Sequence, residues 1–502
     1  MEFSHHFLLL LLFTILLPIL AIFLLRHRIW CNCHICTAYQ TSSWASDFPN
    51  LSDWYTHLLR TSPTQTIHIH IIGNTVTANP AVVEHILRAR FDNYPKGKKF
   101  SRILGDLLGM GIFNVDGPAW DFQRKHASME LGSVSIRTFA FETVKGEIEQ
   151  RLLPLLSSFA GKVGPESEAL LDLQEVFQRF SFDNVCNFSF GFDPGCLDLS
   201  LPISPFADSF DLASKLSAER ALVVSPIVWK IKRLLNVGSE RRLRDAVAVV
   251  KALAMDVIEH KRKLGFSEHG DLLSRFMGCV SDEVYLRDIV MSFVLAGRDT
   301  MASAMTAFFW LIRARLDIVS RIRKEADNII RNRNGQAFPS FDQLKEMHYL
   351  QATVYESLRL YPPVQFDSKF ASEDDELPDG TFVSRGTRVM YHPYAMGRME
   401  KIWGPDCMEF RPERWLDENG KFVHQNPYKY PVFQAGVRVC LGKEMAIVEM
   451  KMVALSVLWE FDVVVIAPIS ELRFEPGLTA FVRGGLKVLI KKRDTAPNNK
   501  NI

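Results

Sequence analysis

The sequence has almost no excess charge of either sign, because 59 Lys and Arg residues face 57 Asp and Glu residues and leave a net charge of +2. This balance excludes a nucleic-acid-binding protein that relies on a broad basic surface. Clear internal repeats and low-complexity blocks are absent too. With 47% apolar and 23% charged residues, the 502-residue chain is typical of a folded protein with a large buried core.

Long apolar runs are scarce, and residues 7–25 form the one uninterrupted run without a formal charge. A helix of that length can span a hydrocarbon core of about 30 Å. Glu2 is the only formally charged side chain before the run, whereas Arg26 and Arg28 follow it. This order favours an uncleaved signal anchor over a cleaved signal peptide. We therefore expect a single-pass protein of the endoplasmic reticulum membrane, in contact with lipid, with its main body in the cytosol.

Eight cysteines are too few, and in the wrong compartment, for a disulfide framework in a cytosolic body. Residues 31–36, CNCHIC, offer ligands for zinc or sites for palmitoylation, but reduced linker cysteines are the favoured interpretation. Residues 66–71 alternate as in a half-buried strand and place His68 and His70 on one face. A metal site is conceivable there, and a solvated strand face is favoured.

A proline-rich or glycine-rich hinge that would divide the body is also missing. Asn79 and Pro80 predict a helix start, and the pattern stays mainly helical to about residue 330. The last third is mixed, with a helix over 346–360 and strand-and-turn chemistry over 377–390 and 478–490. We predict a mainly α chain with small β-sheets (α+β), divided as follows: anchor 1–28, linker 29–60, one domain 61–493 and a disordered tail 494–502.

Residues 433–442 carry the chemistry and have the sequence FQAGVRVCLG. At each fixed position this F-x-x-G-x-R-x-C-x-G pattern resembles the haem-binding loop of the cytochrome P-450 monooxygenases. The resemblance implies that Cys440 is the axial thiolate ligand of the iron and that Arg438 neutralises a haem propionate. It also implies that Phe433 packs beside the sulfur and that Gly436 and Gly442 let the backbone approach the porphyrin. The alternative is a buried cysteine in an ordinary loop.

Two further motifs support this resemblance. Glu356 and Arg359 are spaced to lie on one helix face, and Arg414 follows in a second motif. In the family, these three side chains form a buried structural network. Trp120 and Arg124 lie one helical turn apart, and in the family both reach a haem propionate.

A third match, AGRDT at 296–300, lies in a helical pattern that runs roughly over 285–316. It resembles the oxygen-activating segment of the family's long central helix. The resemblance implies that Ala296 and Gly297 leave room for dioxygen, and that Asp299 and Thr300 deliver the protons that cleavage of dioxygen requires. The alternative to this role is that Asp299 is an ordinary solvent-exposed residue on the helix. Many family members carry Thr or Ser at the position where this chain has Met301.

The resemblance therefore implies a cytochrome P-450 fold preceded by one transmembrane helix, with haem b and electrons from NADPH through a membrane reductase. Finer similarity points to the plant fatty-acid ω-hydroxylase clan and its jasmonate-oxidising branch. The segments that carry the finer similarity are 31–33, 91–98, 130–135, 296–300, 363–369, 394–398 and 432–436.

The implied substrate is a small amphiphilic carboxylate oxidised at its terminal carbon. It is 12-hydroxy-jasmonoyl-isoleucine, converted to the 12-carboxy form, and/or a fatty acid that undergoes ω-hydroxylation. The alternatives are a haem-thiolate isomerase or dehydratase of fatty-acid hydroperoxides, which needs no reductase, and a non-enzymatic membrane-anchored protein.

An apolar channel would align such a substrate. Ordinary core packing explains each candidate lining residue almost as well, and Lys369 is a surface lysine or the partner of the distal carboxylate. The candidates taken from the family's substrate-contacting regions are Phe113, Val115, Phe293, Val364, Phe366 and Thr479.

Overall fold

Helices make up most of the computed structural model, which confirms the predicted fold class. The structure describes residues 12–21, 31–160, 170–199, 204–223, 225–265, 270–330, 338–466 and 472–493. The α-helices after residue 31 are α1 His34–Thr41, α2 Leu51–Thr61, α3 Pro80–Glu84, α4 Gly97–Leu108, α5 Gly117–Gly132, α6 Val134–Glu147, α7 Leu153–Ala160, α8 Leu173–Phe190, α9 Pro205–Leu222, α10 Pro226–Leu235, α11 Gly238–Leu264, α12 Leu272–Met277, α13 Glu283–Val294, α14 Thr300–Ile312, α15 Leu316–Ile330, α16 Phe341–Glu346, α17 His348–Leu360, α18 Pro393–Met396, α19 Glu400–Trp403 and α20 Lys443–Glu460.

Four small sheets accompany the helices in the described ranges. The largest has the strand order β1-β2-β7-β4, in which β2 and β7 are parallel and the other pairs antiparallel. The second has the order β3-β11-β8, and the pairs β10-β9 and β5-β6 complete the set. The strands are β1 Thr66–Ile69, β2 Asn74–Thr77, β3 Leu171–Asp172, β4 Asp367–Phe370, β5 Asp375–Glu376, β6 Phe382–Val383, β7 Arg388–Tyr391, β8 Phe461–Val465, β9 Phe474–Glu475, β10 Phe481–Val482 and β11 Lys487–Lys492.

The membrane anchor stays a prediction. Residues 12–21 of the apolar run are helical and their side chains are exposed. Among the residues that the structure describes, none of the helices combines the length and the apolar character that a membrane crossing needs. The rest of the run and the tail 494–502 lie outside the described residues.

The predicted linker 29–60 contains α1 and most of α2 within its described part, 31–60, and there Cys36, Trp54 and Leu59 are buried in one cluster with residues of the largest sheet. One local prediction needs correction. Residues 478–490 do not form a hairpin with each other. β10 pairs with β9, which directly precedes it in the chain, whereas β11 pairs with the more distant strands β8 and β3.

Other local signals are confirmed. Asn79 caps α3, since its side chain accepts a hydrogen bond from the Ala81 N–H at 3.0 Å. The predicted helix over 346–360 is present as α17, and the turn at Gly380 lies between β5 and β6. The central helix over 285–316 is divided into α13 and α14 by a π-helical turn, Leu295–Asp299.

The haem-side core is organised by one buried carboxylate. Glu356 on α17 is fully buried and pairs with Arg359 through two hydrogen bonds of 2.8 Å. It also accepts from Arg414 Nε at 3.3 Å, from the Arg411 N–H at 2.9 Å and from Trp415 Nε1 at 2.9 Å. Five donors on one anion compensate for its loss of water. The network therefore fixes the segment that ends at Trp415 against α17.

We expect Glu356→Gln to lower the free energy of unfolding by about 3–5 kcal/mol, since an amide cannot serve these donors and leaves Arg359 without its anion. The measurement is the urea midpoint of the purified chain, together with its haem content. Glu413→Gln is the control, because this nearby side chain is 39% exposed and pairs with Arg321 at the surface, where an ion pair contributes at most about 1 kcal/mol. Equal midpoints for the two variants would contradict the assigned role.

Candidate functional site

The cysteine loop, 433–442, is shaped by a glycine in a left-handed conformation. Gly436 has φ +63°, and a Cβ at this position would collide with the carbonyl oxygen of Leu87. The loop closes when the Cys440 N–H donates to the Phe433 carbonyl at 2.8 Å. Phe433 is half-buried and packs against the apolar core, and its ring centre lies 6.5 Å from that of Tyr355.

Cys440 lies just before α20, and burial raises the pKa of its thiol overall, although nearby donors and cations oppose this shift. The opposing groups are the N–H groups of Gly442 and Lys443 and the positive charges of Arg124 and Lys443. These donors sit at the N-terminus of α20, where unpaired amides attract an anion. Cys440 nonetheless keeps accessible surface on one side, so its sulfur is open to a ligand.

The second predicted group, Trp120, Arg124 and Arg438, comes together beside this loop. Arg124 donates to the Val439 carbonyl at 2.6 Å, and the Arg438 guanidinium lies 4.5 Å from the centre of the Trp120 ring. Arg438 also donates to Asp116 at 2.7 Å. The structure thus unites residues that are more than 300 positions apart in the chain.

A buried network that the sequence analysis missed continues from Arg438. Lys96 binds Asp367 at 2.6 Å and Lys369 binds the same carboxylate at 3.1 Å. Lys369 is only 1% exposed, so the expectation of a surface lysine is wrong. Burial, together with the positive charges of Lys96 and Arg438, lowers the pKa of Lys369 to about 7 against the opposing charge of Asp367.

Gln434 links this network to the cysteine loop. Its backbone has φ +60° and ψ 179°, a combination found almost only in glycine, and such strain persists where surrounding bonds hold the residue. Its side-chain oxygen accepts from the Tyr391 hydroxyl, and its amide donates to Asp367 at 3.0 Å. Since glutamine gives no sequence signal for a positive φ, local patterns could not reveal this role.

The opposite candidate wall is the π-helical turn in the central helix. π-helical turns are rare and occur mostly at functional sites. Thr300 at its end donates its hydroxyl to the Ala296 carbonyl at 2.5 Å, and Ala296 is exposed although most of its neighbours are buried. Gly297 faces the other way, because a Cβ there would lie 2.7 Å from a methyl of Val185 on α8. Gly297 therefore allows the central helix to pack closely on α8. The expectation that Gly297 leaves room for dioxygen did not include this contact.

Asp299 is fully buried, so it is not a solvated helix position. One carboxylate oxygen accepts from Arg298 at 3.1 Å, while the other has no hydrogen-bond partner in the described part of the chain. Burial and the nearby carboxylate of Asp211 raise the pKa of Asp299 to about 7 against the opposing charge of Arg298. Arg298 itself is held by both oxygens of Asp211. Asp299 can thus carry a proton near neutral pH.

The proposed substrate residues divide into two groups. Val364 and Thr479 adjoin a bond from the Ala480 N–H to the Pro363 carbonyl at 2.9 Å, and Ser303 of α14 donates to the Ala480 carbonyl at 2.7 Å. These two residues therefore lie beside the central helix one turn beyond Thr300.

The remaining candidates differ in exposure. Phe113 is 39% exposed, so its ring is available to a ligand. Phe293 packs its ring 5.8 Å from that of Phe276, and Phe366 packs 5.9 Å from His392 beside the largest sheet. Val115 is buried, and its carbonyl accepts from Arg438. Core packing accounts for these last three positions.

Comparison with known proteins agrees with this geometry. The family model described as Cytochrome P450 matches residues 37–487. The chain is 57% identical to Cytochrome P450 94C1 of Arabidopsis thaliana over 96% of its own length and 97% of that protein. It is 49% identical to Cytochrome P450 94B3 of the same plant, with 89% of each chain covered. It is 44% identical to Cytochrome P450 94A1 of Vicia sativa, with 88% of this chain and 87% of the relative covered.

The residues present fit haem b. Four cations, Arg124, Arg438, Lys96 and Lys369, meet two carboxylates, Asp116 and Asp367, on one side of the loop. Basic groups therefore outnumber acidic groups here, and haem propionates would find cationic partners. A Cβ on Gly442 would meet no protein atom within 4 Å, which leaves room beside Cys440 for a flat ligand.

The two loop glycines give a paired test. We expect Gly436→Ala to lower the free energy of unfolding by more than about 1–2 kcal/mol, since the left-handed conformation alone costs that much and the Leu87 carbonyl adds a clash. Gly442→Ala, at φ −85° with open space around its Cβ, should leave the unfolding midpoint unchanged but alter the haem absorption spectrum. Thermal unfolding and absorption spectra check both, and a Gly436→Ala midpoint equal to that of the unsubstituted chain would refute the assignment.

Proposed function

Because this chain belongs to the cytochrome P450 family and is a haem-thiolate monooxygenase of its ω-hydroxylase clan, we propose that it oxidises the terminal carbon of 12-hydroxy-jasmonoyl-isoleucine to the 12-carboxy form. Family membership implies haem b with a cysteine thiolate, which supplies activation of dioxygen with electrons from NADPH through a reductase. The observation that carries the narrower proposal is the similarity of segments 91–98, 130–135 and 363–369 to the jasmonate-oxidising branch.

In this proposal Cys440 is the thiolate ligand. The amides at the start of α20 and the charge of Arg124 support the anionic sulfur. Arg124, Arg438 and Lys369, with Trp120 beside them, hold the propionates. Gln434 and Gly436 act on the backbone, since they set the path of the loop that presents the sulfur.

The channel that receives the substrate lies between the exposed turn at Ala296 and the loops that carry Val364 and Thr479. The bond between Ala480 and Pro363 joins these loops, and Ser303 ties them to the central helix. Phe113 offers an exposed aromatic face. An amphiphile with its carboxylate at one end and the reacting carbon at the other suits such a channel, because apolar contacts hold the chain in line.

Proton delivery in this proposal belongs to Thr300 and Asp299. The Thr300 hydroxyl sits at the π-helical turn, and the unpartnered oxygen of Asp299 can hold a proton at neutral pH. Arg298 and Asp211 fix the carboxyl group from the other side. Asp299 can therefore hold the proton, and Thr300, which follows it on the same helix, can donate it.

The proposed location is the endoplasmic reticulum membrane, with residues 7–25 as the anchor and the catalytic domain in the cytosol. The support is the charge order around the apolar run, Glu2 before it and Arg26 and Arg28 after it. A membrane-bound NADPH reductase is then the electron donor, since both proteins share one surface.

The deciding experiment is a competition analysed by mass spectrometry. Membranes that carry the full chain and a reductase receive NADPH with 12-hydroxy-jasmonoyl-isoleucine and lauric acid together, and Cys440→Ser membranes set the background. A dominant 12-carboxy product is expected. Dominant hydroxylaurate would transfer the function to fatty-acid oxidation, and turnover without NADPH would indicate an isomerase or dehydratase instead.

We expect Thr300→Ala to lower the ratio of product formed to NADPH consumed by about tenfold or more, because positioned proton donors contribute about 10²–10⁴ in rate. Thr306→Ala is the matched control, since Thr306 makes the same type of hydroxyl bond, to Ala302 at 2.7 Å, on the same helix. Equal ratios in the two variants would remove Thr300 from proton delivery.

The ratio should also depend on pH. Asp299 carries its proton below about pH 7 and loses it above, so the product ratio of the unsubstituted chain should fall as the pH rises through 7. Asp299→Asn should be low and flat across this range. A persistent fall near pH 7 in the variant would assign the titration to another group.

A further inference from the structure

A separate cluster of metal-ligating side chains lies where the start of α1 meets the turn that follows β1. It consists of Cys31, Cys33 and Cys36 together with His70, and their ligand atoms all lie within 4.8 Å of one another. Tetrahedral zinc with bonds of about 2.0–2.3 Å places its ligand atoms about 3.8 Å apart. None of these pairs is therefore more than about 1 Å beyond the separation that zinc requires.

The fold builds this cluster from two separate segments. The cysteines lie at the start of α1, whereas His70 lies in the turn that follows β1. Two structural elements that meet through three thiols and one imidazole form the donor set of a closed structural site. Neither residues 31–36 nor the pair His68 and His70 predicts a metal site by itself, because each segment holds only part of the ligand set.

Backbone amides are aimed at two of the sulfur atoms. The Cys36 N–H donates to Cys33 Sγ at 3.4 Å, and Cys33 caps α1 in this way. The Ile71 N–H donates to Cys36 Sγ at 3.4 Å, so the residue after His70 contacts the first segment. Such donors stabilise thiolate ligands and hold them in place before a metal arrives.

The imidazole is restrained as well. The His70 ring packs edge to face against the His68 ring, with centroids 4.7 Å apart. His68 is itself held to Thr75 of β2 at 3.0 Å. His70 is exposed and lies at the rim, while Cys36 is fully buried beneath it. A ligand set with one buried thiol and an open rim lets a metal enter without unfolding the core.

We propose that Cys31, Cys33, Cys36 and His70 bind a structural zinc ion that joins α1 to the β1–β2 hairpin. Thiolate and imidazole donors select zinc over calcium or magnesium, which take oxygen ligands. The described cysteines are all free of disulfides, so their sulfur atoms are available.

The metal has a mechanical role in the molecule. It closes the chain between Cys36 and His70 and fixes the segment that begins at Cys31. α1 and the turn at Ile71 would then behave as one rigid unit, and the body of the protein would be held at a set angle to the N-terminal segment. This role is independent of the substrate and of the haem.

The test uses the full-length haem-loaded chain, purified without metal-affinity resin. Zinc and haem are counted per chain, and zinc is expected at about one per chain. His70→Ala and Cys33→Ser should lose zinc to a competing chelator at least about 10- to 100-fold more readily, since even the loss of a group that only orients a ligand costs that much affinity. Haem content shows that each variant has folded.

Matched controls exist in the same chain. His68→Ala removes the neighbouring imidazole, and Cys279→Ser removes an exposed cysteine from another part of the fold. Both should retain zinc. X-ray absorption at the zinc edge should show three sulfur neighbours at about 2.3 Å and one nitrogen at about 2.0–2.1 Å.

Three outcomes would overturn the proposal. The first is equal zinc retention in His70→Ala and His68→Ala. The second is a coordination shell dominated by oxygen, which indicates adventitious zinc. The third is a disulfide or an acyl group on Cys31, Cys33 or Cys36 in the mass spectrum of the purified chain.

Discussion

The carboxylate of Glu356 is the constraint on which the rest of the haem side depends. A fully buried anion is tolerated only with a complete set of donors, and here Arg359, Arg414, Trp415 and the Arg411 amide provide it. Except for Arg359, which lies on the same helix, those donors come from the segment around the 3-10 turn Pro412–Trp415, so the anion helps to determine where that segment runs. The same helix holds the next segment too, because the Tyr430 hydroxyl donates to the Tyr355 carbonyl at 3.1 Å, directly before the cysteine loop begins.

The backbone departs from regular geometry in a different way in each of the two segments that form the candidate site. The cysteine loop is forced into left-handed conformations at Gln434 and Gly436, and side-chain bonds to Asp367 and Tyr391 hold it there. The central helix is widened instead, by a π-helical turn whose Ala296 carbonyl is taken by the Thr300 hydroxyl. Close packing of Gly297 on Val185 keeps the widened turn against α8. Backbone strain thus shapes the cysteine loop, whereas a helix defect shapes the turn at Ala296.

The sequence predicts those parts of the site that depend on local spacing. Glu356 and Arg359, or Trp120 and Arg124, lie on one helix face whatever the rest of the chain does, and motifs of this kind place them correctly. The predicted hairpin over 478–490 is wrong because Gly484 and Gly485 signal a turn but not the partners of the flanking strands. Burial of Lys369 depends on Asp367, Lys96 and Arg438, and no local pattern carries that information. For the same reason His70 could not be joined to the cysteines, since β1 and α2 separate them in the chain.

The charge around the loop couples folding to the haem. Lys96 and Lys369 share the single carboxylate of Asp367, and Arg438 stands close enough to lower the pKa of Lys369. Buried cations in excess of their anions destabilise a fold, and two added carboxylates remove that excess. A ligand that binds the folded state alone stabilises it, and more so the tighter it binds, so propionates bound in this position would contribute to the stability of the surrounding core. Asp367, the anion that pairs with the two lysines, also accepts a hydrogen bond from Gln434, the strained residue of the cysteine loop. Charge pairing and the geometry of the loop therefore depend on one side chain.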